Sequence, residues 1–392
     1  METPTPLRGR FWCLIAATFL GFLGFGTVLP ALAPHIRLDL GGSDRTVGFV
    51  IGTFSVVALA SRLFAGRLAD HKGRKSAFLT GLFSCTLAGL SYFMPWGIAS
   101  MYIGRMLQGF GEACLYTGAA AWAVEVAGVD RSARALGYVS SGIWGGVSAG
   151  PLIGQLLGSF HRAAGFQVIA ALCAATLLAF VPEDYQPHAH ARRAGWLRRS
   201  IFPAGIAVGF VNVHYPVITG FLILHLAKHG NSGPAAFSVY AGFVLLSRFF
   251  LGGLPDRIHP RITYYTGIAG MAAGLAILGT GPNWTGAMIG AGLLGFGFSF
   301  PWASVASTVL RRTPNGERGS AVSLLSAFYD LFVGTSSFSA GMIANAYGYG
   351  AAFTMAVIAL GAAAVAGRFV FADREPEAGH VGEPALETAS RD

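Results

Sequence analysis

The decapeptide SRLFAGRLAD at residues 61–70 returns as SRFFLGGLPD at residues 247–256, with Ser, Arg, Phe, Gly, Leu and Asp kept in place. The separation is 186 residues, close to half of a chain of 392. The same offset carries Gly109-Phe110-Gly111 onto Gly295-Phe296-Gly297. Two copies of one unit laid end to end are the simplest source of such spacing.

Composition says what kind of unit this is. The apolar set Ala, Val, Ile, Leu, Met, Phe, Trp, Tyr and Cys makes up 53% of the chain, 55 glycines come on top of it, and 11% of residues are charged. A soluble domain reaches about 45–50% with its glycines included. Apolar runs cover 11–36, 46–69, 76–94, 98–127, 131–157, 164–182, 200–226, 234–254, 261–280, 284–311, 317–345 and 349–371. A helix needs ~20 residues to cross the hydrocarbon core, and turn-forming stretches such as MPWG at 94, GVDRS at 128, GPNW at 281 and TPNGERG at 313 separate the runs. The expected fold is an all-α integral membrane protein with twelve transmembrane helices in two pseudo-symmetric six-helix bundles. The boundaries expected are 1–182 for the first bundle, 183–199 for a cytoplasmic linker, 200–371 for the second bundle and 372–392 for an acidic, disordered tail. An even number of spans per half gives both halves the same orientation, with a site expected between them at the midplane.

Charge sets the orientation. With the N-terminus inside, 20 of the 27 Lys and Arg fall in cytoplasmic segments, four (Arg37, Arg45, Arg162, Lys228) fall outside, and Arg62, Arg105 and Arg248 lie within spans. Both termini are therefore predicted to be cytoplasmic. The net charge of +9 then reports topology, and a nucleic-acid partner is not implied. Cys13, Cys85, Cys114 and Cys173 each sit in an apolar run without a CxxC spacing, so they read as free thiols. The opening METPTPLRGR has no small-residue cleavage site, which makes the first apolar run a retained helix.

The first copy of the repeat continues as GRLADHKGRK, Gly66 to Lys75. Gly66 bares a helix surface for close approach, Asp70 suits a helix N-terminus, and Lys72, Arg74 and Lys75 hold the loop inside. This stretch resembles the loop 2-3 motif of the major facilitator superfamily of secondary transporters, and the resemblance extends over essentially the whole chain. It implies a conformational latch formed by Gly66, Asp70, Gly73 and Arg74, with Gly252, Asp256 and Arg257 as its degenerate second copy. Arg62 and Arg248, one turn away, are expected to pair with acids of these loops.

The fourth span, MYIGRMLQGFGEA, is similar to a motif of proton-coupled members of that superfamily, with Glu112 where a small residue is usual. Spacings of three and four place Arg105, Gln108, Glu112 and Tyr116 on one stripe, so an acid and a base face a common surface. Of the 18 acids, only Glu112 and Asp330 lie deep within spans. Insertion of such a group costs ~2.5–3.5 kcal/mol, so it faces a cavity or a partner. Both are candidate proton-coupling residues, and Arg105, Gln108 and Tyr116 candidate substrate ligands.

The fifth span repeats glycine every four residues through Gly146, Gly150 and Gly154, with Pro151 inside the series. The pattern is similar to an antiporter motif of exporters, except for Gln155 at its last position, and it implies efflux. As packing, it makes a groove for a close helix, expected at the interface of the halves. The embedded GVSAG copies a hydrolase elbow, but Ser148 lies mid-helix, without the strand-turn-helix setting that elbow needs. In the seventh span, VNVHYPVITG, Asn212, His214 and Tyr215 are candidate substrate ligands and Pro216 a break. Pro30 and Pro34 imply a bend in the first span, and Trp122, Trp144 and Trp302 read as packing or interfacial anchors.

These readings converge on a secondary active transporter that moves a small molecule by alternating access, with proton-coupled efflux (antiport) expected. Uptake or facilitated diffusion of a metabolite is the alternative, and a non-transporting receptor a third. No nucleophile-base pair or metal-ligand cluster in the spans suggests an enzyme. No cofactor is expected beyond the coupling proton. The expected partners are a small-molecule substrate and the lipid bilayer, the chain reads as a monomer, and its expected location is the bacterial inner membrane.

Overall fold

The computed structural model describes residues 9–127, 132–179, 181–183, 201–251, 258–313 and 318–372. Gly252, Asp256 and Arg257, nearly all of the predicted linker and nearly all of the predicted tail lie outside the described residues. The described chain is helical, without strands.

The first half comprises α1 (Gly9–Pro34), α2 (Asp44–Lys72), α3 (Arg74–Ser91), α4 (Ile98–Ala127), α5 (Ser132–Leu157) and α6 (Phe160–Ala179). The second begins with α7 (Phe202–Asn212) and α8 (His214–Lys228), which together form one span. It continues with α9 (Gly233–Leu251), α10 (Pro260–Gly279), α11 (Trp284–Arg311), α12 (Arg318–Tyr347) and α13 (Tyr349–Val370). Among the described residues, eight spans meet strict length and apolarity requirements for crossing a membrane.

Local chemistry fixes where these helices start and stop. Before α2, the Ser43 hydroxyl accepts from the Thr46 amide at 3.1 Å while the Thr46 hydroxyl accepts from the Ser43 amide at 3.3 Å, a reciprocal cap. Asn283 caps α11 by accepting from the Gly286 amide at 2.9 Å. The break between α7 and α8 at Val213 precedes Pro216, whose missing N–H cannot serve the Asn212 carbonyl. In α1, the helix runs through Pro30 and widens into a π turn, His35–Asp39, directly after Pro34.

Packing repeats with the sequence. A methyl group placed on Gly109 would strike the Phe54 carbonyl, and one on Gly295 the Tyr240 carbonyl. One on Gly111 would sit 2.7 Å from Cys85 Sγ and 3.0 Å from Gly81 O, and one on Gly297 2.6 Å from Gly267 O and 2.9 Å from Met271 N. Phe54 and Tyr240, Gly81 and Gly267, and Cys85 and Met271 are each 186 apart. The two halves thus pack α4 and α11 into their neighbours in the same register.

The α5 glycines are used differently from expectation. Added methyl groups at Gly146 and Gly150 would lie 2.5 Å from Phe19 O and 2.5 Å from the Gly26 Cα, and Gly154 faces the Thr27 carbonyl. All three partners belong to α1, so the groove holds two helices of one half together and does not line the interface between halves. Small residues let the two backbones meet because no Cβ intervenes.

Among the described residues, the halves meet backbone to backbone at the end carrying Asp44. There a methyl group on Gly48 of α2 would lie 2.5 Å from Ser337 O and 2.6 Å from the Gly341 Cα of α12. The Tyr349 hydroxyl donates to Asp44 Oδ1 at 2.8 Å, and Arg37 Nε lies 2.8 Å from the same oxygen. Toward the other end, methyl groups on Gly66 of α2, Gly137 of α5 or Gly242 of α9 would meet nothing within 4 Å among the described residues. Among the described residues, no helix therefore closes on the bare surface of Gly66.

Candidate functional site

Midway along the halves, Arg62 of α2 reaches α12. Its Nε donates to Asp330 Oδ2 at 2.7 Å, and its Nη2 lies 2.5 Å from the same oxygen. Glu112 of α4 stands second in line, with Oε2 at 3.7 Å from Nη2. That Glu112 oxygen is buried without a hydrogen-bond partner among the described residues. The Tyr116 ring lies under the guanidinium, 5.1 Å from Cζ, and its hydroxyl accepts from Ser326 Oγ of α12 at 3.1 Å. One cation thus sits between two acids from opposite halves. The structure brings Glu112, Asp330 and Tyr116 together as candidate residues, but around Arg62. Its partner is the distant Asp330 and not an acid of the adjacent loop, because its position on α2 faces the other half.

Arg105 belongs elsewhere. Its Nη1 donates to Gln108 Oε1 at 2.8 Å, its Nη2 to Ile51 O at 3.5 Å, and Cζ stacks 4.3 Å from the Phe54 ring. Gln108 Nε2 donates to Gln167 Oε1 at 2.6 Å, Gln167 Nε2 to Cys85 O at 2.8 Å, and the Tyr92 hydroxyl to Gln108 Oε1 at 3.1 Å. This chain joins α2, α3, α4 and α6 and stiffens the first half. The helical stripe that puts Arg105 near Glu112 in sequence does not make them partners.

Asn212 and His214 are buried and committed to the helix break. Asn212 Nδ2 donates to Val208 O at 2.7 Å and His214 Nδ1 lies 2.7 Å from Val211 O, so both side chains engage backbone carbonyls around Val213. Tyr215 remains half-buried, with its ring 6.5 Å from that of Tyr329.

The loop between α2 and α3 is built as an intrahalf tie. Gly73 takes φ 95°, a conformation that favours glycine, and a methyl group there would lie 2.7 Å from the Glu183 carboxylate. Glu183 Oε1 accepts from the amides of Arg74 at 2.5 Å and Lys75 at 3.0 Å, so Glu183 serves the first turn of α3. Arg74 pairs with Glu125 at the end of α4. Lys75 Nζ donates to Ala179 O at 3.0 Å and Val181 O at 2.8 Å beyond α6. Arg74 and Lys75 therefore fasten α3, α4 and the chain beyond α6 to one another.

A second cluster escaped the sequence reading. The rings of Trp144 (α5), Trp302 (α11) and Tyr329 (α12) lie 6.0–6.4 Å apart, drawn from both halves. Arg248 of α9 stacks on Trp144 at 4.6 Å and reaches Phe298 at 5.4 Å. The repeat itself carried the signal. Adding 186 to Arg62, Glu112 and Tyr116 gives Arg248, Phe298 and Trp302, and adding it to Trp144 gives Asp330.

Comparison with known proteins agrees with this architecture. The sequence model of the Major Facilitator Superfamily matches residues 14–233 and again 217–390. An uncharacterised MFS-type transporter of Salmonella typhimurium is 27% identical over 372 residues, covering 89% of this chain and 94% of the relative. One from Burkholderia pseudomallei is 27% identical over 365 residues, covering 89% of each chain. Among solved structures, the nucleoside transporter NupG superposes with a TM-score of 0.74 at 12% identity, covering 93% of this chain and all of the other. A human organic anion transporter does so with a TM-score of 0.70 at 15% identity, over 93% of this chain. The multi-pass helical fold, the repeat at both sequence and packing level and the family match lead to one conclusion: this chain belongs to the Major Facilitator Superfamily, a family of membrane carriers and not of enzymes.

Proposed function

We propose that this carrier is a proton-coupled exporter of a small molecule that works by alternating access in a bacterial inner membrane. The observation that carries the reading is the ion pair from Arg62 to Asp330, which ties α2 to α12 and has Glu112 as a second seat for the same guanidinium. A proton on Asp330 removes the charge that holds the pair, and Arg62 then turns toward Glu112 within its own half. The two bundles, 1–182 and 200–371, are free to part along α2 and α12 once that has happened.

Magnitudes support the assignment. Breaking a buried ion pair by removing one partner costs ~3–5 kcal/mol. Shifting a two-state equilibrium from 1:99 to 99:1 takes about 5.5 kcal/mol. One protonation event at this pair is thus of the size needed to bias the rocking of the halves. Export is the direction implied by the glycine-proline series of α5. Proton-driven uptake is the second reading, favoured by the burial of those glycines against α1 within one half.

Reconstituted protein tests both. Liposomes carrying the wild type, assayed against radiolabelled aromatic acids, amines and neutral metabolites, should move at least one compound faster under an imposed pH gradient. Glu112→Gln and Asp330→Asn should lose the gradient-dependent part and keep exchange of label at equal pH. Stimulation unchanged in both variants removes proton coupling from these residues. The sign of the gradient that accumulates label in oriented vesicles decides export against uptake.

A further inference from the structure

The two arginines related by the repeat have opposite surroundings. Arg62 is neutralised by Asp330 and Glu112. At the matching positions, Arg248 meets Trp144 where Arg62 meets Asp330, and Phe298 where Arg62 meets Glu112. No described acid pairs with Arg248, and its Nε and Nη2 are buried without an acceptor among the described residues. Its ionisable neighbours are the phenols of Tyr240 and Tyr329. An unpaired buried cation is costly, whereas a desolvated guanidinium fork matched by a carboxylate forms the strong, bidentate kind of hydrogen bond.

Taking the transporter reading as given, we infer that Arg248 is the anion-recognising residue of the substrate site, and that the substrate is an aromatic monoanion of the carboxylate class. The guanidinium takes the carboxylate, and the half-buried rings of Trp144, Trp302, Tyr215 and Tyr329 flank the flat body. Ring faces and edges at this spacing suit an aromatic guest through offset and edge-to-face contacts. The wider electrostatics agree. Arg62, Arg105 and Arg248 against Glu112 and Asp330 leave a formal +1 in the interior, three minus two, with both acids ionised. A lipophilic cation would enter that positive interior with its two acids already engaged by Arg62. A monoanion balances it.

The probe series holds the ring constant and varies charge: 1-naphthoate, neutral 1-naphthamide and cationic 1-naphthylmethylammonium, with binding to the full-length protein in nanodiscs measured by competition against labelled 1-naphthoate. Wild type should prefer the anion over the amide by about tenfold or more, the ratio a charge-assisted hydrogen bond supplies. Arg248→Gln should abolish that preference and Arg248→Lys restore part of it, which a purely structural residue would not do. Trp144→Ala should weaken the anion and the amide together. Equal affinity for anion and amide in the wild type, a preference that survives Arg248→Gln in a variant eluting as a single monodisperse species, or no saturable binding of naphthoate overturns the inference. Flux separates this outcome from the transporter reading. Naphthoate that binds in this pattern and is never moved defeats transport alone, and an amine pumped without naphthoate binding defeats the anion assignment alone.

Discussion

At the scale of single residues, the same side chain is given two fates by its neighbours. Arg62 gives one Asp330 oxygen a hydrogen bond from Nε and a close ion-pair contact from Nη2, while Glu112 touches it only at 3.7 Å. The consequence for stability is unequal. Asp330→Ala strands a buried guanidinium and should cost on the order of 3 kcal/mol, whereas Glu112→Ala removes a carboxylate that meets Arg62 only at 3.7 Å, through an oxygen without a hydrogen-bond partner among the described residues, and should cost less. Melting in detergent by a thiol-reactive or light-scattering readout should place Asp330→Ala below Glu112→Ala. Replacing the whole cluster by uncharged groups, Arg62→Met with Asp330→Leu and Glu112→Gln, should recover much of the loss, because matched uncharged groups in place of a buried ion cluster are often neutral or better. A triple variant no more stable than Asp330→Ala alone would mean that the acid is held for some reason other than the ion cluster.

At the scale of helices, packing follows the glycines, and their positions divide cleanly by what lies opposite. Gly150 of α5 meets the α1 backbone, and Gly137 of the same helix meets nothing within 4 Å among the described residues. Gly150→Ala should therefore destabilise by ~1–3 kcal/mol through overpacking, while Gly137→Ala should be neutral or stabilising by roughly 0.5–1 kcal/mol, the helix preference of alanine over glycine. Opposite shifts in melting temperature check the pair, and equal shifts would dismiss the α1–α5 contact as the reason for the series. Much of this level was legible in the sequence. The spans, the break ahead of Pro216 and the close-packing role of glycines all follow from local patterns. What pairs with what was not. Periodicity puts Gly146, Gly150 and Gly154 on one face without naming the helix that comes to it, and the cap of α3 comes from Glu183, 109 residues from Arg74. Such partners are fixed by how helices associate in three dimensions, which a single helix's pattern does not encode. The one long-range relation the sequence did contain is the 186-residue offset, and it links Arg62 to Arg248 as firmly as it links the loops.

At the scale of the whole molecule, the question is which contacts must open and close. The halves approach within backbone contact where Gly48 of α2 faces Gly341 of α12, whereas among the described residues nothing stands within 4 Å of a methyl group on Gly66 of the same α2. Among the described residues, one helix therefore has a closed end and an open end, separated by the Arg62 pair between them. With the Lys72 end facing the cytoplasm, as the distribution of Lys and Arg predicts, this is an inward-facing arrangement, and rocking must separate Gly48 from Gly341 while closing over Gly66. A bulky side chain at Gly48 removes the closed arrangement without touching the Arg62 cluster. Gly48→Leu, in a background with the four native cysteines replaced and Gly66→Cys added as a reporter, should favour the opposite arrangement. Labelling of the cysteine by a membrane-impermeant maleimide from the cytoplasmic side of oriented vesicles should be fast with Gly48 intact and several-fold slower with leucine, since a two-state shift of ~1.4 kcal/mol already changes the population ratio tenfold. Net transport should fall in the same variant, because alternating access needs both arrangements to be reached in each cycle. Labelling at Gly66→Cys that does not respond to Gly48→Leu would break the proposed seesaw, and would mean that the two ends of α2 open independently of each other.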